Sequence, residues 1–186
     1  MRDAEKVIMG IDPGTNLLGF GVIEIDGGRP AFVDMGVLDL RKDKDAYSKL
    51  RQIFDTVSEV VRTYHGTEMA LESPFYGKNV QVVLKLGRAQ GAAMIAAMEQ
   101  GLPVFEYAPR QAKQAITGNG GASKEQVSLM LEKTLGFHLE TEHLDATDAL
   151  AIAMCHYYST TNPVSSVKKG SSGWEKYILE HPEKVK

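Results

Sequence analysis

The chain has 186 residues, 43% hydrophobic and 24% charged, with a formal net charge of −3 from 21 basic and 24 acidic side chains. That length supports one ordinary domain with a buried core, and the composition excludes disorder, collagen and coiled coil for the chain as a whole. No apolar run reaches the roughly 18 residues of a membrane helix, and the one cysteine, Cys155, excludes a disulfide framework or a cysteine-based zinc site. The opening residues lack the charged-then-apolar order of a secretory signal, so the expected compartment is reducing and cytoplasmic, with no membrane partner.

Residues 6–11 are a short apolar run ending in Asp12-Pro13-Gly14-Thr15. Residues 18–26 read as a second strand closed by Gly27-Gly28, and residues 30–40 as a third. Their connections are too short for crossovers, which predicts an antiparallel meander. From about residue 45 the apolar period becomes 3.6, through Tyr47, Leu50, Ile53, Phe54, Val57, Val60, Val61 and Tyr64. That spacing predicts an amphipathic helix, with Gly66 as its C-terminal cap. Residues 68–72 form a short strand stopped by Ser73-Pro74, and the helical crossover lets it lie parallel to the first strand.

A second helix is expected over residues 79–100, where Gly87, Gly91 and a run of alanines leave a smooth surface for another backbone. Residues 103–107 form a further parallel strand, and residues 109–117 a short helix. After a glycine-rich loop, Ser123 and Gln126 make a capping box for a helix ended by Gly136. The last core helix runs from about residue 145 to residue 158. Fold class is therefore α/β: a three-stranded antiparallel meander plus parallel strands, layered with helices, in one domain over residues 1–160. Residues 161–186 read as a linker and tail. Within it, residues 172–181 are expected to form a short helix with Trp174, Tyr177 and Ile178 on one face.

Four acids stand apart from ordinary surface acids. Asp12 and Glu72 each end an apolar strand before a proline-containing turn, so adjacent parallel strands would bring both to one sheet edge. Asp145 and Asp148 are three apart, on one face at the start of an apolar helix. Each has a plain alternative: a turn residue, a strand-end surface acid, an N-cap, a first-turn acid. Carboxylates at close range repel unless a divalent cation lies among them. Oxygen-only ligands suit Mg²⁺ or Mn²⁺, and two such ions about 3.5–4 Å apart make the clamp used in phosphodiester hydrolysis.

Several motifs in register resemble RuvC, the Holliday junction resolvase family. They are Gly10-Ile11-Asp12-Pro13-Gly14-Thr15 with Gly19-Phe20-Gly21-Val22-Ile23, then Leu71-Glu72 with Phe75 and Leu84-Lys85-Leu86-Gly87-Arg88-Ala89-Gln90-Gly91. Pro103-Val104-Phe105-Glu106-Tyr107-Ala108 with Arg110-Gln111-Ala112-Lys113-Gln114 follows, and last comes Asp145-Ala146-Thr147-Asp148-Ala149-Leu150. The resemblance implies an RNase H-like fold and a homodimeric, Mg²⁺-dependent endonuclease that nicks opposed strands of a four-way DNA junction. It also implies two ions per site, with Mn²⁺ as a substitute, and branch-migration proteins as partners. Asp12, Glu72, Asp145 and Asp148 match the family's catalytic acids and metal ligands. Phe75 matches an aromatic residue near the junction crossover, and Lys113 and Lys124 match basic residues beside the scissile phosphate. His143 reads as a neighbour of Asp145 rather than a ligand.

Between Ser73 and Lys124 six basic residues, Lys78, Lys85, Arg88, Arg110, Lys113 and Lys124, face only Glu99 and Glu106. This local excess is either a solvated face or a surface for phosphates, which position DNA without reading its sequence. Two other functions start from the same residues. A junction-binding module without cleavage needs no acids. An actin-like or sugar-kinase ATPase also opens on an Asp-x-Gly-Thr hairpin but requires a second phosphate-binding hairpin.

Overall fold

The computed structural model describes residues 5–73, 79–138 and 144–161, with Leu144 and Asp145 given by their backbone only. Three strands open the chain: β1 (Lys6–Pro13), β2 (Leu17–Asp26) and β3 (Arg29–Asp39). Helix α1 (Ala46–Tyr64) leads to β4 (Glu68–Glu72), and α2 (Val80–Glu99) to β5 (Val104–Tyr107). Helices α3 (Pro109–Thr117), α4 (Lys124–Leu135) and α5 (Leu144–Thr161) complete the described chain. The sheet order is β3-β2-β1-β4-β5, antiparallel across β3, β2 and β1 and parallel across β1, β4 and β5. This is the expected mixed sheet, with element ends shifted by one to three residues. The proposed tail helix lies outside the described residues.

Alternation along the strands divides the core into two layers. Met9, Ile11, Met69 and Leu71 point to one face, where they pack on Ile53, Val57 and Val61 of α1 and on the alanines of α2. Ile8, Ile23, Ile25 and Ala70 point to the other, against α3, α4 and α5. Helix α5 lies almost in contact with the backbone of that second face. Gly10 and Gly21 are direct partners across β1 and β2, so both open toward α5. A Cβ on Gly10 would sit 2.0 Å from the carbonyl oxygen of Ala149, and one on Gly21 would sit 2.7 Å from Cα of Leu150. These two missing side chains set how closely the helix approaches the sheet.

A polar chain ties the far end of the same face. Lys6 Nζ is 2.8 Å from one oxygen of Glu68, and His156 Nε2 is 2.7 Å from the other. The carboxylate only accepts, so Nε2–H donates to it and Nδ1 accepts from the Tyr107 hydroxyl at 2.7 Å. Phe105 packs over the imidazole, with ring centroids 4.4 Å apart. Burial pushes His156 below its ordinary pKa, against the pull of Glu68. Burial would raise Glu68, but hydrogen bonds from Lys6 and His156 hold it below the usual value. A neutral imidazole and a carboxylate thus join α5 to β1, β4 and β5.

The capping box of Ser123 and Gln126 forms as expected, and Gly136 closes α4 in the left-handed region. Gly66 is a correction. The left-handed residue at the end of α1 is His65, with φ 53°. Gly66 is needed for packing instead, since a Cβ there would lie 2.8 Å from Cγ of Met9.

The contact between α5 and the sheet predicts that Gly10→Ala costs about 3 kcal/mol, the upper end for overpacking, because the neighbouring atoms are backbone and cannot rotate away. Chemical denaturation of the variant beside the parent protein checks this. An unchanged midpoint would mean that α5 lifts freely from the sheet.

Candidate active site

Parallel pairing aligns Gly10 with Ala70 and Ile11 with Leu71. The next step of the same register brings Asp12 beside Glu72 at the C-terminal ends of β1 and β4. Period-two alternation keeps both on the face of Gly10 and Ala70, the face covered by α5. Helix α5 begins over this edge, so Asp148 enters from above, one turn after Asp145 on the helix backbone. Asp12, Glu72 and Asp148 are all partly buried. The side chain of Asp145 lies outside the described residues.

Two clefts meet at Glu72. One is lined by Asp12, Pro13, Gly14, Glu72, Ser73, Leu86 and Gln90. The other is lined by Glu72, Lys113, Lys124 and Asp148, with Pro109, Ala112, Val127 and Ala151. Lys113 reaches it from α3 and donates to the carbonyl of Ala122 at 2.9 Å. Lys124 enters from the first residue of α4, whose capping box fixes the helix start. Its Nζ lies 2.6 Å from Asp148 Oδ2. Lys124 therefore balances a site carboxylate here, beyond the phosphate role that the resemblance implies.

Burial raises the Glu72 carboxyl, the charges of Asp12 and Asp148 raise it further, and Lys124 and Lys113 only partly oppose them. The result is a carboxyl pushed up to about 8. With all three carboxyls ionised, the site would carry more negative charge than its two lysines offset, and a proton on Glu72 relieves it. Among the described residues no group of three acids is gathered as a ready cage for a metal ion. One oxygen of Asp148 is held by Lys124, and the side chain of Asp145 lies outside the described residues. The donor chemistry nevertheless fits a hard divalent cation: among the described residues the donors at the two clefts are carboxylates, with no sulfur or imidazole.

The other expected residues divide. Lys85 and Arg88 are exposed on α2, on the side facing α1. Arg110 is exposed on α3 and packs its stem toward Gly120, away from both clefts. Phe75, Lys78 and His143 lie outside the described residues. Gln90 was not expected. It is buried, lines the cleft beside Asp12 and Glu72, and donates to Glu106 at 2.6 Å. Its signal in the sequence is a single polar position on a helix face otherwise made of Ala89, Ala93, Ala96 and Ala97.

The raised Glu72 carboxyl makes a signed prediction for the metal-free protein. Between its ordinary value of 4.5 and about 8, the folded state holds a proton that the unfolded state has released. Folding stability from this group is therefore full below about pH 4.5, falls as pH rises through that window, and levels off above about 8. Glu72→Gln should flatten this part of the profile and raise the melting temperature at pH 8.5. Equal pH profiles for parent and variant would refute the assignment of the raised carboxyl to Glu72.

The family model described as RuvC, crossover junction endodeoxyribonuclease, matches residues 8–156. A crossover junction endodeoxyribonuclease RuvC from Bacteroides fragilis is 51% identical over 184 residues, covering 98% of this chain and 97% of that protein. One from Cytophaga hutchinsonii is 49% identical over 185 residues, covering 100% of this chain and 90% of that protein. Among solved structures, Thermus thermophilus RuvC in complex with a Holliday junction substrate superposes with a TM-score of 0.76 at 34% identity, covering 84% of this chain and 96% of that one. The yeast mitochondrial Holliday junction resolvase Ydc2, at 11% identity and a TM-score of 0.60 over 93% of this chain and 83% of that one, shares the fold alone. The sheet is thus the RNase H-like one, and the chain belongs to the RuvC family of crossover junction endodeoxyribonucleases.

Proposed function

We propose that this chain resolves four-way DNA junctions by hydrolysing one phosphodiester in each of two opposed strands, with Asp12, Glu72, Asp145 and Asp148 as its catalytic acids. The observation that carries the reading is Glu72 at the junction of two clefts, with Asp12 in one and Asp148, Lys113 and Lys124 in the other. Carboxylates this close can all ionise only with divalent cations among them, which these four acids would hold; Mg²⁺ fits, and Mn²⁺ can replace it. When bound, two such ions lower the pKa of water and stabilise the departing 3′ oxygen.

The chain's own side chains do the rest. Lys113 and Lys124 offset charge that builds on the scissile phosphate. Lys124 also holds Asp148 in place until the site is loaded, and Gln90 supports the wall beside Asp12. Hydrolysis adds the oxygen of water to phosphorus, breaks the bond to the 3′ oxygen and leaves a 5′-phosphate and a 3′-hydroxyl, ends that a ligase can join. The match to a RuvC solved with a Holliday junction supports the four-way junction as substrate.

Cutting two opposed strands requires two sites, and α2 supports a two-fold dimer. Val80, Leu84, Ile95 and Met98 are 67%, 52%, 61% and 63% exposed. With Gly87 and Gly91, whose missing side chains open onto empty space, they form one outward stripe at three- and four-residue spacing. A second copy of the same helix can cross at the glycines and cover the apolar ends. Two active sites related by a two-fold axis then match the symmetry of a junction.

In a cleavage assay with Mg²⁺, a four-way junction should be nicked symmetrically and a linear duplex of the same sequence left intact. Asp12→Asn, Glu72→Gln, Asp145→Asn and Asp148→Asn should each slow cleavage by at least about 100-fold, while junction binding without metal persists. Cleavage at the parent rate in any one variant would remove that acid from the site. For assembly, Leu84→Glu with Ile95→Glu should convert a dimer to a monomer by light scattering and uncouple the paired nicks. A parent protein that is monomeric at micromolar concentration and fully active would refute the dimer.

A further inference from the structure

A third cleft lies on the opposite side of Asp12 from Lys113 and Lys124. It sits where the turn after β1 meets α1 and α2. Thr15 and Asn16 of the turn, Lys44 and Lys49 of the α1 segment, and Lys85 and Arg88 of α2 line it. Its floor is apolar, from side chains of the same two helices. Four cations converge here from two elements, and no carboxylate is among the lining residues. The nearby acids are engaged elsewhere: Asp43 accepts from Gln52 at 2.6 Å, and Asp45 accepts from the Ser48 backbone N–H at 2.7 Å as the cap of α1. Lys49 Nζ donates to the Thr15 carbonyl at 3.1 Å, so one cation is fastened to the turn that follows Asp12.

Position gives this cleft its meaning. Thr15 is three residues from Asp12, at most about 10 Å along the chain. The cleft of Asp12, Glu72 and Gln90 begins at Gly14 and Leu86, next to Thr15 and Lys85. It then shares Glu72 with the cleft of Lys113 and Lys124. Through these neighbouring residues the order across the sheet end is cations, then carboxylates, then cations. We propose that Lys44 and Lys49, with Lys85 and Arg88, grip a backbone phosphate of the strand being cut, within about three nucleotides of the scissile phosphate. A phosphate held on each side of the carboxylates suspends the scissile one over them. The acids would otherwise repel it. Lys44 and Lys49 are thus positioning residues, acting on the strand rather than on the reacting atoms. A grip on phosphate alone adds affinity and register without sequence preference.

This inference rests on junction cleavage by the chain, and the test separates the two. If the parent protein neither binds nor cuts a junction, the proposed function fails. If the parent cuts, Lys44→Gln and Lys49→Gln report on the cleft alone. Each should weaken junction binding, and the two together should approach the loss of about eightfold at 0.1 M salt and the fall of about 0.9 in the slope of log K against log salt that one lost phosphate contact gives on duplex DNA. Lys44→Gln does not touch the Thr15 carbonyl, so it keeps the test valid if Lys49→Gln disturbs the turn; melting temperatures check both. The decisive measurement replaces single phosphates near the cut by neutral methylphosphonates, one at a time. The parent should lose affinity sharply at one position within three nucleotides of the cut, and Lys44→Gln should lose nothing further there. Additive losses at every position, or unchanged salt slopes, would overturn the proposal. So would competition by millimolar inorganic phosphate that relieves no difference between parent and variant, since the cleft would then not be an anion site on the DNA path.

Discussion

The closeness of α5 to the sheet governs the rest of the structure. A helix normally rests on a sheet through its side chains. Here Gly10 and Gly21, paired across two central strands, remove the side chains that would hold α5 away. The backbone at Ala149 and Leu150 comes down onto the strands, and the first turn of the helix is carried to the edge where Asp12 and Glu72 stand. Alanines at positions 146, 149, 151 and 153 complete the contact from the helix side, all of them buried. The acids meet because small residues let three backbones share one place.

The two ends of that face use buried charge in opposite ways. At the far end, Glu68 is matched by Lys6 and His156, and the carboxyl is held below its ordinary pKa. At the site end, Glu72 is held between two other acids and rises to about 8. Both carboxyls are on the same strand, four residues apart and on the same face. One is a satisfied structural tie. The other keeps unfavourable charge in reserve, which a cation can relieve when substrate chemistry requires it. A network that satisfies its partners stabilises; a cluster that does not is a place for function.

The basic residues complete this arrangement at the level of the surface. The chain is acidic overall, yet a subset of its cations lines the clefts on the two sides of the carboxylates. Lys113 and Lys124 flank them on the α3 and α4 side, and Lys44, Lys49, Lys85 and Arg88 on the α1 and α2 side. Under the proposed function this distribution has a physical use, because a strand's phosphates are repelled by the carboxylates and local attraction must exceed that repulsion. Net charge alone would have argued against nucleic acid.

Much of this was legible before folding. Strand and helix periods, the Ser123 capping box and the turn dipeptides are local properties, and local physics decides them. The acids Asp12, Glu72 and Asp148 were visible because each sits at the end of an apolar element, where a charge has no packing role. Other features depend on residues far apart in the chain. His156 reads as an odd polar residue in an apolar helix until Glu68 and Tyr107 are brought to it. Gln90 reads as a break in an alanine face until it closes a cleft beside Asp12. Gly66 reads as a cap until Met9 shows that it is a contact. Lys44 and Lys49 read as ordinary surface lysines, because a helix surface carries such residues everywhere. The elements, their faces and the candidate acids could be read from the chain alone, since these follow from periodicity and side-chain chemistry. Only the tertiary structure decided which charges are neighbours, because electrostatic coupling depends on distance through space, and β1, β4, α2 and α5 become adjacent only when the sheet and its two helical layers are packed.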